Sequence, residues 1–209
     1  MKRTLLSSLC IAVAAAVAVP AVAGAAAPTH SGSKRNIAEV LLADSRYDNA
    51  DGFDRYAFDF DIVTQAILLF PDLVAAASDP SSQLTLFLPT DSAFRSLVQS
   101  LTGQYVRSEE EVFNAVAGLG TDVVLAVLTY HVVPGAVIDY RAATQADGAA
   151  LTTLNGASIT IAVKGWFVKF IQLQDNDPDL RDPFVILPNI SASNGIIHGI
   201  DRVLLPIDV

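Results

Sequence analysis

The chain is expected to fold as an α+β domain whose sheet is dominated by antiparallel pairing. Three observations point there. Segments of helical period with capping signals gather in the first half, between Asn36 and His131. From Val132 onward the pattern turns to short extended runs separated by turn dipeptides: Pro134-Gly135, Asn155-Gly156, Lys164-Gly165 and Asn194-Gly195. Helices segregated from strands in this way mark the α+β class. Finally, Ile196 to Leu205 reads as one strand, roughly 33 Å long at about 3.3 Å per residue. It is apolar on both alternating sets, with Ile196, Ile200 and Leu204 on one and Ile197, Val203 and Leu205 on the other. Such a strand is covered on both faces and lies inside its sheet, with His198 at its middle.

In chain order, residues 1–23 read as a cleaved export signal. Lys2-Arg3 is the basic start, Leu5 to Val19 the apolar run, and Ala21-Val22-Ala23 the cleavage site. The run of about 15 residues is short of the ~20 that a spanning helix needs. Residues 24–58 are expected to hold a flexible lead-in, a short helix opened by the capping box Asn36 to Glu39, and an acidic connection dotted with Tyr47, Phe53, Tyr56 and Phe58. Asp61 is placed as the cap of the next helix, and Pro71 in the first turn of another. Leu84 to Leu88 is expected to be an alternating strand. Thr90 then caps a helix in which Asp91 suits the positive end and Phe94 and Leu97 share a face. Ser108 and Glu111 form a second capping box, Gly118 and Gly120 stop that helix, and a further one runs to Tyr130-His131. Leu151 to Val163 reads as a hairpin about a primed Asn155-Gly156 turn, followed by strands from Trp166 to Leu173 and from Phe184 to Leu187. Residues 207–209 are a tail with no second apolar segment.

Charge and composition exclude several classes. Loss of residues 1–23 would remove Lys2, Arg3, no acid and the single cysteine, leaving 11 basic and 22 acidic side chains, formally −11. A chain of that sign lacks the basic face that neutralises phosphates, so nucleic acid is not an expected partner, and anionic membrane surfaces are disfavoured on the same count. An exported chain without disulfides must take its stability from its core. No nucleophile elbow, zinc-binding His-Glu-x-x-His or phosphate loop is present. Asp175, Asp177 and Asp179 have the alternate spacing that opens a calcium loop. Leu180 and Ile186 stand where glycine and the bidentate glutamate belong, so residues 175–182 read as a solvated loop with no metal.

Three segments resemble the fasciclin domain family, in that family's order and spacing. Leu84 to Phe94, with Phe87, Thr90 and Phe94 as its core, is similar to the first homology box. Leu128 to Gly135 resembles the central Tyr-His motif, carried here by Tyr130 and His131. Asn194 to Pro206 resembles the second box. The resemblance covers residues 59–206. It implies a wedge of two mainly antiparallel sheets with a helical layer, an extracellular adhesion or protein-interaction role, no catalysis and no cofactor. Some members bind carotenoids, so an apolar small molecule such as a carotenoid or lipid is the alternative expectation. In animal matrix members an Asp-Ile pair before the second box is taken as an integrin contact. Asn189-Ile190 stands there in this chain, and a neutral amide cannot serve as the anionic ligand of a partner's divalent cation. Tyr130, His131, Asn189 and Ile190 are nevertheless the candidate contacts for an extracellular or cell-envelope protein. His198 is read as a satisfied core histidine, and Trp166 and Phe167 as sheet packing.

Overall fold

The computed structural model describes residues 35–44 and 52–207. The expected export signal, His30 and Tyr47 lie outside them. Six helices come first or are interleaved with one sheet: α1 (Ile37–Asp44), α2 (Asp61–Leu68), α3 (Pro71–Ser78), α4 (Asp91–Thr102), α5 (Glu109–Ala117) and α6 (Thr121–Tyr130). That sheet has four strands in the order β2 (Val132–Pro134), β1 (Leu84–Pro89), β7 (Gly195–Ile200), β6 (Val185–Ala192). The second sheet is the meander β3 (Ala150–Thr152), β4 (Ser158–Lys164), β5 (Phe170–Gln174), and a short helix α7 (Tyr140–Ala143) precedes it. All ladders are antiparallel except β1 with β7, which pair in parallel from Leu84 opposite Gly195 to Pro89 opposite Ile200. The α+β wedge under a helical layer is therefore present. No single helix among the described residues is long and apolar enough to cross a membrane.

Two apolar clusters hold the wedge. Leu84, Leu86, Leu88 and Ile197 point from one face of the first sheet into the helical layer, against Ile62, Phe94 and Val112. Phe87 and Ile200 point the other way and meet Ile159, Ile161, Ile171 and Leu173 of the meander. β1 is thus buried along its whole length rather than alternating, because helices cover one face and a sheet the other.

The late strand is central, as its pattern requires, but shorter than ten residues. Pairing stops at Ile200, and residues 203–205 stay buried without strand partners. The backbone donors of Leu204 and Leu205 are taken by side chains from far away in sequence. Leu204 N–H donates to His131 Nε2 at 3.0 Å and Leu205 N–H to Asp175 Oδ2 at 2.8 Å. Buried donors must be satisfied somewhere, and here side chains finish what the ladder leaves undone.

Local signals are used in unexpected ways. Phe60, not Asp61, is the N-cap residue of α2, and the cap comes from α4: Ile62 N–H donates to Asp91 Oδ1 at 3.0 Å. Thr90 occupies the N-cap position of α4, yet its hydroxyl lies 3.0 Å from Ser92 Oγ and 3.4 Å from the Ile200 carbonyl, so it ties helix to strand. The β3–β4 turn is not primed. Only Gly156 takes positive φ, and Gly156 N–H donates to Thr153 O across a turn that has Leu154 and Asn155 at its centre. The capping box of α1 forms in full, with Glu39 N–H on Asn36 Oδ1 and Asn36 N–H on Glu39 Oε2, both 2.9 Å.

Asn194-Gly195 is a hub more than a turn. A Cβ on Gly195 would stand 2.3 Å from the Leu84 carbonyl oxygen, so glycine is required for β7 to approach β1. Asn194 is buried. Its Oδ1 accepts from Ile37 N–H at 2.9 Å, while its amide donates to the Ala77 and Asp79 carbonyls, each at 2.9 Å. One side chain thereby joins the start of α1 to the end of α3. Asn194→Ala strands two buried backbone groups, Ile37 N–H and the Ala77 carbonyl, and should lower stability by about 2 kcal/mol, read as a shifted urea midpoint with unchanged slope.

Candidate functional site

Tyr130 and His131 close α6 and are buried, Tyr130 against the meander. The Tyr130 hydroxyl donates to Ser158 O at 2.9 Å, and burial pushes its pKa up to about 12. His131 Nδ1 lies 2.7 Å from the Val127 carbonyl while Nε2 accepts from Leu204, which fixes the neutral tautomer with its proton on Nδ1. Burial pushes its pKa down to about 4. Both side chains are consumed internally, so the expectation that they meet a partner is corrected: the helix end they occupy is roofed by the second sheet.

His198 is equally committed. Nε2 lies 2.8 Å from the Ile138 carbonyl, Asn189 N–H donates to Nδ1 at 3.3 Å, and the ring stacks on Phe87 with centroids 5.5 Å apart. Desolvation lowers its pKa, so it stays neutral. Asn189 sits at positive φ beside the register shifts of β6, and its Oδ1 accepts from Tyr140 N–H at 2.8 Å. Asn189 is exposed, and Ile190 is half-buried against the helical cluster. The Asn189-Ile190 pair thus joins β6 to the approach of α7. His198→Ala should cost about 3 kcal/mol by unpairing Ile138 O and Asn189 N–H, measured as a lower melting temperature.

A group of carboxylates that sequence spacing did not reveal lies under α2, α4 and α5. Oxygens of Asp54, Asp59 and Glu109, and again of Asp59, Asp61 and Asp91, lie within 4.8 Å of one another, near enough for each trio to hold a metal ion. Glu109 Oε1 pairs with Arg95 at 2.5 Å and Oε2 accepts from Asp54 N–H at 2.8 Å. Burial raises Asp91 to about 10, with Asp59 adding to the rise, and Glu109 to about 7. Asp59 also moves up. A proton retained between Asp59 and Asp91 lets the two carboxyls hydrogen-bond instead of repel. An acid whose folded pKa is raised contributes stability that is complete below its unfolded pKa and lost as pH rises towards the folded one. His131 acts in the opposite sense, but only between about 4 and 6.5. Above pH 6.5 the carboxyls dominate. Stability should therefore fall from pH 6.5 to pH 9, by on the order of 1 kcal/mol per pH unit from the Asp91 site. Asp91→Asn, which keeps the acceptor for Ile62, should remove most of that slope in thermal melts.

The acidic loop is solvated only in part: Asn176, Asp179 and Arg181 are exposed, while Asp175 and Asp177 turn inward. Asp177 is buried and its Oδ1 accepts from Asp179 and Leu180 N–H groups, at 2.9 and 2.7 Å. Asp175 Oδ1 accepts from Asp177 N–H and Oδ2 from Leu205 N–H; burial pushes its pKa up to about 6. These carboxylates hold backbone in place.

Two features of the surface remain. A groove of about 250 Å³, walled almost wholly by carbon, opens between α4, α5, α6 and the chain after β7, with Phe94, Leu97, Val116, Val123 and Ile207 on its walls. At the far end of the meander the β4–β5 loop projects Trp166 and Phe167, 88% and 95% exposed, beside Val168 at 63% and Phe170 at 51%. Their expected packing against the sheet is therefore corrected. Alternation already directs Ile159, Ile161, Ile171 and Leu173 inward, and the loop lies past the edge of the inter-sheet core. The loop has a defined shape: Gly165 takes φ of +91°, and a Cβ there would stand 2.1 Å from the Val168 carbonyl oxygen. The signal was available in the sequence, since Gly165 marks a turn and the three residues after it are all apolar.

A two-sheet wedge beneath helices, with an Asn-Gly hub and buried Tyr-His and His positions, defines a FAS1-type domain. Residues 61–206 match the family model of the fasciclin domain, and the chain belongs to the fasciclin domain family. Among curated proteins it is similar to "Protein sll1483" of Synechocystis sp., 33% identical over 135 residues, which cover 65% of this chain and 61% of that protein. It is also similar to "Uncharacterized protein sll1735" of the same organism, 30% identical over 173 residues, covering 81% of this chain and 97% of that protein. Among solved structures, the FAS1 domain pair of the insect cell adhesion molecule fasciclin I shares the fold, with a TM-score of 0.58 and 15% identity. That likeness covers 83% of this chain and 51% of the pair. The chain thus spans 61% of the length of sll1483 and about half of the fasciclin I pair.

Proposed function

We propose that this chain is an exported, non-catalytic attachment module that serves adhesion or interaction at the cell envelope, with the β4–β5 tip as its contact edge. The observation that carries this reading is the exposure of Trp166 and Phe167 on a loop whose shape is fixed by Gly165. Large aromatic side chains left in water on an ordered loop stabilise nothing in the free domain and are the side chains that anchor contacts. Membership of the fasciclin family supports the class of role, as does the adhesive nature of the insect molecule that shares the fold. The non-catalytic reading rests on the histidines: both in the domain are buried, neutral and bonded at each ring nitrogen, which leaves neither to move a proton.

The groove between α4, α5 and α6 supports a second reading, carriage of an apolar small molecule. Its volume of about 250 Å³ falls below the roughly 300–1,000 Å³ of drug-sized ligand sites. It suits one short chain or ring and not a whole carotenoid.

Trp166→Ser combined with Phe167→Ser should leave the melting temperature within about 1–2 °C of the parent, since neither side chain packs. The same pair of changes should reduce retention on native envelope preparations at least tenfold, a loss of about 1.4 kcal/mol. Unchanged retention would remove the tip from the proposal. Co-elution of lipid or pigment absorbance with the purified protein, lost on Val123→Trp in the groove, would favour the carrier instead.

A further inference from the structure

We propose that the partner of the β4–β5 tip is an anionic phospholipid surface, into whose headgroup layer Trp166 and Phe167 insert; this rests on the attachment reading above. Charge carries the argument. Residues 148–174, which make up the whole β3–β4–β5 meander, contain no aspartate or glutamate, although the chain holds 22 of them. Two of the chain's four lysines, Lys164 and Lys169, fall in that segment and flank the aromatic loop on either side. The negative net charge that counts against an anionic surface for the chain as a whole is thus absent from the segment that carries Trp166 and Phe167; the carboxylate that reaches it is that of Asp147, whose Oδ1 accepts from Val163 N–H at 2.7 Å.

The order of residue types along the loop is that of a membrane–water interface. Trp166 and Phe167 are the most exposed residues of the loop, Val168 and Phe170 extend the apolar surface, and Lys164 and Lys169 flank the aromatic pair in sequence, as lysines that reach headgroup phosphates do. Lys169 is held there by its own hydrogen bonds: Nζ donates to Thr144 O at 3.2 Å, and its carbonyl accepts from the Tyr140 hydroxyl at 2.9 Å. Shape favours lipid over protein. A stable protein contact buries about 800 Å² per partner with aromatic anchors ringed by other contacts. This tip is a convex loop of five residues, Gly165 to Lys169, between two strands, and its Trp and Phe are almost free of neighbours. A fluid interface needs no complementary pocket to receive it.

Trp166 is the only tryptophan of the chain, so its emission reports the tip alone, whatever residues 1–23 do. The full chain is titrated with vesicles of phosphatidylglycerol mixed into phosphatidylcholine. The expected result is a blue shift and protection from acrylamide quenching. Lys164→Gln with Lys169→Gln should weaken the effect about 30-fold, and Phe167→Ser should weaken it while the melting temperature stays put. Emission unchanged by phosphatidylglycerol would overturn the proposal, and an equal shift on phosphatidylcholine alone would overturn its anionic character. If vesicles leave Trp166 unmoved while the tip variants still lose envelope retention, the lipid partner falls and the attachment reading stands with a protein in its place.

Discussion

The domain depends on one close approach: the parallel seating of β7 against β1. Both strands are buried on both faces, and β7 is flanked on both edges. Nothing there can turn to water, so every polar group must find a partner inside. That constraint explains the polar side chains of the interior. Asn194 joins the start of β7 to two helices, and His198 bonds sideways to the Ile138 carbonyl. Where the ladder ends, His131 and Asp175 accept the next backbone donors. Each is a polar group whose burial is offset by backbone bonding.

Electrostatics divides the molecule along the same axis. The helical side buries a carboxylate group around Asp59 and Asp91, compensated by Arg95 and by retained protons. The meander at the opposite end has no acid at all. Buried carboxyls of this kind make the folded state sensitive to pH and tie α2, α4 and α5 together through Asp91 and Glu109. The meander is free of that burden and can present apolar surface and lysines outward. Packing and charge thus differ between the two ends of the wedge, and the proposed contact lies at the end without acid.

Local composition displays its strongest signals where they are used least directly. Asn194-Gly195 has the makings of a hairpin turn, yet the glycine is needed for room beside Leu84 and the asparagine for its three bonds. Asp61 and Thr90 have the chemistry of helix caps, but the cap of α2 comes from Asp91, and Thr90 bonds towards β7. Side-chain oxygens choose among all the donors that the tertiary fold brings near, and nearness in sequence is only one way of being near.

The sequence by itself determined the class of the fold, the family, the central and doubly covered character of the strand around His198, and the capping box of α1. The family follows from the resemblance of three motifs, and the rest from periodicity or short-range chemistry, which a linear pattern carries. Only the tertiary structure decided that Tyr130 and His131 are interior, that five carboxylates converge, that Leu204 and Leu205 bond to side chains rather than to a strand, and that Trp166 and Phe167 stand in water. These depend on which surfaces two sheets and six helices cover, and burial is a property of the assembled layers that no window of residues contains.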